Sequence, residues 1–523
     1  MLSGKRDNDS VLLIRAVVAA GGFAKGKNLS QLTVQRVAEE IDAVHRELAR
    51  FSVDQLRGTP SAVNTLDIIE SHPIPVRPKT ITFLRKALRD AESAESARRV
   101  ERLLFGCMDL AVEEQTASLG DMLKFYLERG RMHVGAEKIP ALEVVPWLQV
   151  EADFDKRETM QKENTIFLKG IVNPMLLGIL ELSIRTVTER FSFDNYARFS
   201  EAKKQISFDE QARSFLAYLD RTAEVYRKRI VPWVEEKIGR PFDNLSRYHA
   251  LHLLRIQRFD SFFPVSRLKE ITGSTFKSLG FDLSSRSDVI THISDSPAKN
   301  PNGMCVGVEI PGEVHVLMKP EGGLIDVETL LHETGHAFFL SHFDSALPME
   351  DRRLYGSPAL DEAFAFLFMD LIDNRAWLIG KVGMSSKEAD ALVGLVRTRR
   401  LCLIRRYIGK FLAEKELHET GNIKNPEPYC RNLKAATGFV YEPEGYLIDM
   451  EPDFYALDYL NGWAAAHVLR CFLELRFGEE WFQRAEAGTF LREIAASGRR
   501  DTVDQVIRSF CGEPPRLPDF SED

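Results

Sequence analysis

The sequence predicts a mainly α-helical fold that contains one small β-hairpin or sheet. In the first half, apolar residues recur every three or four positions, as at Val34, Val37 and Ile41, which is the period of a helix packed against a core. Near residue 295 the pattern changes to two short β-type runs. After residue 375 the helical pattern resumes and continues to the end. These three observations define the predicted fold class.

The chain has 523 residues, which is more than one small domain needs, so we expect two lobes with a large buried core. We place an N-terminal helical lobe at residues 1–190 and a second helical lobe, which carries the candidate site, at residues 191–523. Hydrophobic residues make up 44% of the chain and charged residues 28%, which is typical of a globular protein and excludes long disordered stretches.

Charge and cysteine content limit the possible partners and the location. A net charge of -8 gives no electrostatic reason to expect nucleic acid or an anionic membrane as a partner. The six cysteines contain no CxxC pair, which favours reduced thiols over disulfides or a thiolate metal site. The apolar run at residues 11–20 follows Asp7 and Asp9, is interrupted by Arg15 and lacks a cleavage site, and no uninterrupted apolar run reaches the length of a membrane span. We therefore expect a cytoplasmic protein without a nucleic-acid or membrane partner; the sequence does not predict its oligomeric state.

The two β-type runs lie at residues 304–310 and 313–318 and are predicted to form a hairpin. Between them, Pro311 and Gly312 suit the two central positions of a type II turn. The hairpin has two possible roles, a small structural sheet or an edge strand that pairs with an extended peptide through main-chain hydrogen bonds. The sequence leaves both open.

Residues 332–336 form an HExxH motif, in a helix that we expect to begin at Asp326. In a helix, this spacing places the imidazoles of His332 and His336 one turn apart on one face, where both can bind one metal ion. Glu333 lies near that face and can contact a water molecule on the metal without binding the metal itself. The motif therefore predicts two metal ligands, His332 and His336, and a catalytic base, Glu333.

A catalytic zinc ion usually has three protein ligands and one open position, so a third ligand is needed. Glu362 is the candidate, in an apolar segment that we predict to be a helix capped by Ser357 with Pro358 in its first turn. A carboxylate buried in such a helix is costly unless it meets a cation. The adjacent Asp361 is an alternative that these arguments leave open. The predicted cofactor is one zinc ion per chain.

These parts together predict amide hydrolysis. Zinc would polarise the scissile carbonyl and acidify its water, while Glu333 takes the proton from that water and delivers it to the leaving amine. The tetrahedral intermediate needs a further hydrogen-bond donor for its oxyanion, and a Tyr or His from the C-terminal half is the usual kind of group.

Several segments resemble the thimet oligopeptidase and oligoendopeptidase F family of gluzincin zinc peptidases. DVETLLHETGHAFF is similar to the core motif of that family, AKNPNGMCVGV to its edge-strand region, and FLREIAASGRRDTVDQVIRSFCGEPP to its closing helices. DEAFAFLF stands where the third zinc ligand of the family stands, which supports Glu362 over Asp361. The resemblance covers roughly residues 240–523. It implies a two-lobed helical zinc peptidase with a deep channel that admits short peptides.

The resemblance also implies a helix rich in tyrosine that binds substrate and the oxyanion. The matching stretch is DMEPDFYALDYLNGWAAAHVL, in which Tyr455 and Tyr459 lie one helical turn apart and are the candidate catalytic tyrosines. The His of the family is absent, and Asp458, Asn461 or Gly462 stand where a further Tyr is expected. Tyr446 is an additional candidate in the preceding loop.

Three functions remain open, of which an endo-acting oligopeptidase is the leading one. The second is a carboxypeptidase or dipeptidase, in which Arg405 or Arg406 would hold the terminal carboxylate. The third is a catalytically weakened, zinc-containing or metal-free binding protein, against which the retained Glu333 argues. Other polar residues are interpreted as salt-bridged or packing groups, with contact to substrate as the alternative: Arg397, Arg399, Arg400, His249 and His252.

Overall fold

The structure, a computed structural model, describes residues 32–59, 63–294, 303–354 and 356–520. It confirms the mainly helical class, since helices follow one another along nearly the whole chain. The first of them begins after Thr33, whose side chain caps it by accepting a hydrogen bond from the backbone N–H of Arg36. Val37 and Ile41 of its apolar stripe are fully buried as the sequence period predicts, and Val34 in the first turn is half-buried.

The helices of the first half have the following bounds: α1 Val34–Leu56, α2 Thr65–Ser71, α3 Pro78–Arg89, α4 Ala94–Arg129, α5 Val144–Val150, α6 Phe154–Phe167, α7 Asn173–Arg185, α8 Tyr196–Lys204, α9 Phe208–Arg221, α10 Ala223–Ile238, α11 Arg247–Leu254 and α12 Val265–Ser278. The helices of the second half have these bounds: α13 Leu324–Leu340, α14 Met349–Arg353, α15 Ala359–Met369, α16 Arg375–Trp377, α17 Ser386–Thr420, α18 Glu427–Thr437, α19 Tyr446–Asp449, α20 Tyr455–Phe477, α21 Ala485–Ala496 and α22 Val503–Cys511. Short 3₁₀ segments cover Ala141–Glu143, Gln257–Phe262, Leu283–Ser285, Asp370–Asp373, Pro443–Gly445, Pro452–Phe454 and Trp481–Gln483, and π-helical segments cover Leu168–Val172, Thr186–Arg190 and Leu378–Val382.

A three-stranded sheet lies beside α13, where the sequence predicts a hairpin or sheet. Its strands are β3 (Val289–Ile293), β4 (Met304–Glu309) and β5 (Glu313–Met318), in the order β3-β5-β4. The hairpin of β4 and β5 is confirmed as an antiparallel pair, and β3 adds to it in parallel. The predicted type II turn is wrong, because Gly312 lacks the positive φ that such a turn requires, and the Ile310–Pro311 bond is cis.

A second small sheet is absent from the sequence prediction. Strands β1 (Arg131–Val134) and β2 (Glu137–Pro140) form an antiparallel hairpin inside the otherwise helical first half. Gly135 in its turn has a φ of +61°, which a residue with a side chain rarely adopts. The expectation of one sheet is therefore corrected to two.

Within the described part of the chain, one helix is long and apolar enough to cross a membrane. It is the continuous helix Phe154–Arg190, which joins α6, α7 and two π-helical segments. The sequence argument about uninterrupted runs missed it because Lys169 and Glu181 divide the apolar stretch. Helices of water-soluble proteins also pass a test of length and composition, so the expected absence of a membrane partner stays a prediction.

One continuous hydrophobic core extends from Val37 in α1 to Phe520. Helix α15 lies at its centre, packed between α13 and α20, and residues Ala359 to Phe368 are all buried. This three-helix arrangement carries the candidate site. The division into lobes at residues 190 and 191, and the channel between them, stay predictions.

Candidate metal centre

The HExxH motif lies on α13, which begins at Leu324 rather than at the predicted Asp326. The Asp326 carboxylate instead accepts hydrogen bonds from the backbone N–H groups of Glu321 (3.0 Å) and Gly322 (2.7 Å). Asp326 therefore stabilises the loop that precedes the helix through these hydrogen bonds. The helix itself begins at Leu324, two residues before Asp326, and follows Gly323, which has a φ of +91°.

The two histidines of the motif face the carboxylate of Glu362 on α15. His332 Nε2 lies 3.6 Å from Glu362 Oε2, and His336 Nε2 lies 3.9 Å from Glu362 Oε1. A potential metal-binding atom on each of His332, His336 and Glu362 lies within 4.8 Å of those on the other two residues. The structure thus brings the three predicted ligands together. The predicted cap of this helix is wrong by one residue: α15 begins at Ala359 with Pro358 at the N-cap, so Pro358 precedes the helix, and Ser357, one residue earlier, accepts a hydrogen bond from the backbone N–H of Ala359.

Asp361 is turned away from the histidine side chains and forms an ion pair with Arg499. Arg499 Nη2 lies 2.6 Å from Asp361 Oδ1, and Nε lies 3.2 Å from Oδ2, so the pair is bidentate. The backbone of Asp361 makes a hydrogen bond with the His336 ring, which fixes its orientation. Asp361 therefore supports the cluster, and Glu362 presents the carboxylate.

Close helix packing brings these groups to one point. A Cβ at Gly335, inside the HExxH motif, would lie 2.8 Å from the Phe364 carbonyl oxygen and 2.8 Å from Ala365 Cα. Only a residue without a side chain allows α13 to approach α15 this closely. The Gly of the HETGH sequence is thus explained by packing.

Glu333 is buried beside the cluster, and its carboxylate accepts a hydrogen bond from the backbone N–H of Cys305 on β4. Burial raises the pKa of Glu333 to about 8. The start of β4 approaches α13 closely, since a Cβ at Gly303 would lie 2.3 Å from Thr329 Cγ2 and 3.2 Å from Glu333 Cγ. The strand therefore orients the candidate base through its backbone.

The two candidate tyrosines lie on different sides of the cluster. The Tyr455 hydroxyl donates a hydrogen bond of 2.6 Å to Glu362 Oε1. The ring of Tyr459 packs 4.9 Å from that of Tyr455, between centroids, and lines a cavity together with His332 and Glu333. Tyr446 is elsewhere: it is buried, and its hydroxyl donates to a backbone carbonyl at residue 423. Tyr455 and Tyr459 are thus brought to the site, and Tyr446 is not.

The residues that replace tyrosine on α20 have structural partners. Asp458 is fully buried, at 2.6 Å from Lys204 Nζ of α8 and 2.5 Å from Ser357 Oγ. Gly462 faces the side chain of Glu362, where a larger residue would not fit. The tyrosine that the resemblance implies would not fit at Gly462, and at position 458 it would replace a buried, ion-paired carboxylate.

Two cavities adjoin the cluster. One, of about 440 Å³, is bordered by Tyr455 and by several charged residues, among them Lys203 and Arg353, which alternate with aliphatic ones. The other, of about 360 Å³, contains His332 and Glu333 in a wall that is otherwise largely aromatic and aliphatic. An extended peptide placed across the cluster can therefore meet charged side chains on one side and a mainly apolar wall on the other.

The arginines considered for a terminal carboxylate are held by protein groups. Arg405 donates to the carbonyls of Ala436 and Leu219, at 2.7 Å each, and does not border either cavity. Arg406 borders the apolar cavity but is paired with Asp449. The other members of the cluster are also ion-paired, which confirms their salt-bridged interpretation: Arg397 with Asp373, Arg399 with Glu328, and Arg400 with Asp370 and Asp373.

His249 and His252 are packing residues. His249 is stacked on Phe154, with ring centroids 4.0 Å apart, and lies 2.6 Å from Glu158. His252 is buried, and burial lowers its pKa to about 4. Neither borders the two cavities beside the cluster.

Some functional neighbours escaped sequence reasoning. Arg499, Lys204 and the backbone of Cys305 all support the site, yet each lies in a different part of the chain. Arg499 belongs to the GRR segment after α21, which the sequence analysis assigned only to a region similar to the closing helices of the family. No local pattern indicates its partner Asp361.

The chemistry of the cluster fits a zinc ion. Two imidazoles and one carboxylate are a common ligand set for catalytic zinc, which keeps a further position open. Within the described residues, no group donates a hydrogen bond to the buried Glu362 Oε2. Burial raises the pKa of Glu362 well above its ordinary value and lowers that of His336 to about 4. A divalent cation compensates the buried carboxylate and binds the neutral imidazoles that burial favours.

No protein-family model and no curated protein matches the sequence. Solved structures share the fold. A protein assigned as an oligoendopeptidase F from Bacillus anthracis str. Ames matches with a TM-score of 0.61 and 13% identity, over 98% of this chain and 94% of that one. An M32 carboxypeptidase from Deinococcus radiodurans R1 matches with a TM-score of 0.57 and 16% identity, over 92% of this chain and 96% of that one. A third structure, named BsuCP, gives a TM-score of 0.56 and 15% identity, over 92% and 95% of the two chains. The similarity extends over the whole fold, at low sequence identity.

Proposed function

We propose that the chain is a zinc-dependent peptidase that hydrolyses short peptides. The observation that carries this proposal is the convergence of His332, His336 and Glu362, with the carboxylate of Glu333 beside them. The fold similarity to proteins named as an oligoendopeptidase F and a carboxypeptidase supports the same reaction class. His332, His336 and Glu362 would hold one zinc ion per chain.

When bound, the zinc ion supplies a Lewis acid for the scissile carbonyl and lowers the pKa of the attacking water. Glu333 accepts the proton of that water at its carboxylate and delivers it to the leaving amine nitrogen. The Cys305 backbone N–H holds this carboxylate in place. A nearby divalent cation favours the ionised form of Glu333, which opposes the effect of burial on its pKa.

The oxyanion of the tetrahedral intermediate needs donors that are already in position. Tyr455 and Tyr459 are the groups proposed for this task; the single hydroxyl proton of Tyr455 would have to turn from Glu362 to the oxyanion as the intermediate forms. The contact of Tyr455 with Glu362 also holds that ligand. Among the described residues β4 is an edge strand; Arg353 donates to its carbonyls at Gly307 and Val308, and its start, next to Glu333, suits main-chain pairing with an extended substrate.

A carboxypeptidase is the second candidate function, favoured by the structural neighbour of that name. Such an enzyme needs a cationic group for the terminal carboxylate. Arg405 donates to backbone carbonyls and borders neither cavity, so it does not support a carboxypeptidase. Arg406 would have to break its ion pair with Asp449 before it could bind the terminal carboxylate of a substrate. We therefore keep internal cleavage as the leading proposal.

A weakened binding protein is the remaining alternative. Binding alone does not need a base, yet Glu333 is held beside the cluster by a specific hydrogen bond. We also propose a cytoplasmic location, because the six cysteines are free thiols, which suits a reducing compartment.

The test is cleavage of a library of short peptides by the zinc-loaded protein, read by mass spectrometry, beside Glu333→Gln. We expect internal cuts by the wild type and a loss of roughly 10²-fold or more in kcat for Glu333→Gln, with zinc still bound. Peptides with an amidated C-terminus separate the two activities, since a carboxypeptidase fails on them. Absence of any cut by a chain with one zinc bound would contradict peptide hydrolysis and favour the binding protein.

A further inference from the structure

Two residues directly before Tyr455 adopt the left-handed backbone conformation. Asp453 has φ 60° and ψ 34°, and Phe454 has φ 55° and ψ 38°. Residues with a Cβ seldom adopt this conformation, and two in succession persist only when the surroundings hold them. Such strained backbone is concentrated at functional sites. Here it forms the turn through which the chain enters α20, and we call residues 453 and 454 the entry turn.

Side chains from α8 hold the first residue of the entry turn. Asp453 Oδ2 lies 2.6 Å from Lys203 Nζ, and Asp453 Oδ1 accepts a hydrogen bond of 2.7 Å from Ser200 Oγ. Burial would raise the pKa of Asp453, but Lys203 and Lys204 outweigh burial and hold it at about 2. Asp453 is thus an ionised anchor in a buried setting.

Helix α17 holds the second residue of the turn. The Phe454 backbone N–H donates a hydrogen bond of 3.0 Å to Glu414 Oε1, and Glu414 is only 4% exposed. The Phe454 ring packs against Phe208, at 4.5 Å between centroids, and against His418 at 5.4 Å. Both residues of the turn are therefore held by distant elements, Asp453 through its side chain and Phe454 through its backbone N–H and its ring.

The position of Tyr455 depends on this turn. Tyr455 is the first residue of α20, and the first N–H groups of a helix have no partner inside it. The direction of its side chain is consequently set by the two residues before it as much as by the helix. That direction takes its hydroxyl to 2.6 Å from Glu362 Oε1.

We propose that the entry turn is a positioning device for Tyr455, with Lys203 and Glu414 as its positioning residues. The device acts on zinc binding and on turnover, because Tyr455 contacts both a candidate ligand and the space beside the cluster. This inference rests on the proposed function. Lys204 joins the turn to the helix, since its Nζ lies 3.5 Å from Asp453 Oδ2 and 2.6 Å from Asp458 Oδ2, one turn further along α20.

Asp453→Gly tests the device without adding strain, since glycine adopts the left-handed conformation freely. The matched control is Gln205→Gly, because Gln205 also has a left-handed backbone, at φ 56°, and follows the same helix α8. We expect Asp453→Gly to raise the zinc Kd, measured by chelator competition, about 10-fold and to lower kcat about 10-fold. We expect KM to change less than threefold and Gln205→Gly to match the wild type.

A double-mutant cycle with Tyr455→Phe decides whether the turn acts through Tyr455. In the Tyr455→Phe background, Asp453→Gly should have little further effect on either parameter. The pair Glu414→Gln and Glu414→Met provides a second test: glutamine keeps an oxygen for the Phe454 N–H and should preserve both parameters better than methionine. These variants also serve if Asp453→Gly does not fold.

The inference is overturned if Asp453→Gly and Glu414→Met leave zinc affinity and kcat within twofold of the wild type, or if their effects add fully to that of Tyr455→Phe. A wild type without peptidase activity would contradict the proposed function instead. In that event the zinc Kd values still decide the inference, because they need no substrate.

Discussion

Gly462 of α20 lies directly against Glu362 of α15. A Cβ at position 462 would lie 2.6 Å from Glu362 Cβ and 3.3 Å from the Ala359 carbonyl oxygen. The absence of a side chain on α20 thus allows the helix that carries the third candidate ligand to sit between α13 and α20. A larger residue would push Glu362 away from the two histidines.

Gly462→Ala is therefore expected to separate α15 from α20. We predict a loss of about 1–3 kcal/mol in the free energy of unfolding, because added volume in a packed core forces neighbouring groups to move. Zinc affinity should fall roughly 10-fold as the ligand moves. Urea unfolding of the apo protein and chelator competition measure the two effects.

Gly394→Ala is the matched control, since Gly394 is an exposed position in the middle of α17 with no atom within 4 Å of a built Cβ. Alanine there should leave zinc affinity unchanged and stabilise the protein by up to about 1 kcal/mol through helix propensity. Equal zinc affinity in Gly462→Ala and the wild type would contradict the role of the close approach.

Replacement of Tyr455 and replacement of Tyr459 should have different effects on the affinity for zinc. Tyr455→Phe removes a hydrogen bond to Glu362, so we expect weaker zinc binding and a kcat lower by roughly 10²-fold. Within the described residues, the Tyr459 hydroxyl bonds to no candidate ligand, so Tyr459→Phe should lower kcat and leave the zinc Kd unchanged. Chelator competition and steady-state kinetics on one peptide compare the variants. Unchanged kcat in both would remove the tyrosines from the mechanism.

The sequence predicts the part of the site that depends on local spacing. His332, Glu333 and His336 lie on one helix, so their relative positions follow from the helical repeat alone. The mainly helical class and the hairpin beside the motif follow from periodicity in the same way. The choice of Glu362 required the resemblance, because helix position alone left Asp361 open.

Contacts between distant segments could not be predicted from the sequence. Arg499 reaches Asp361 across 138 positions, and Lys204 reaches Asp458 across 254. The left-handed backbone of Phe454 has no sequence signal, since glycine, asparagine or aspartate is the usual residue in that conformation. The hairpin at residues 131–140 escaped because each strand has only four residues.

Replacing each of the two adjacent carboxylates should identify the ligand. Glu362→Gln is expected to abolish stoichiometric zinc binding, because it removes the carboxylate that faces the two Nε2 atoms. Asp361→Asn should retain one zinc per chain but lose about 3–5 kcal/mol of stability, since the buried Arg499 guanidinium loses its ion pair with the Asp361 carboxylate. Metal analysis and urea unfolding measure both. Loss of zinc in Asp361→Asn with full zinc in Glu362→Gln would reverse the assignment.

His418 should make the protein less stable in mild acid. It lies buried between Tyr196 and Phe454, at 5.0 Å and 5.4 Å between ring centroids, and burial lowers its pKa from 6.5 to about 4, with Asp453 opposing this. Below pH 6.5 the unfolded chain therefore binds a proton that the folded chain does not, so stability falls as the pH drops towards 4. At pH 5 the loss from this one residue is about 2 kcal/mol. The free energy of unfolding of His418→Phe, measured in urea between pH 8 and pH 5, should consequently depend less steeply on pH than that of the wild type. The control is His133→Gln, at an exposed position, whose free energy of unfolding should follow the wild type. Identical slopes for His418→Phe and the wild type would mean that His418 is protonated equally in the folded and unfolded chains.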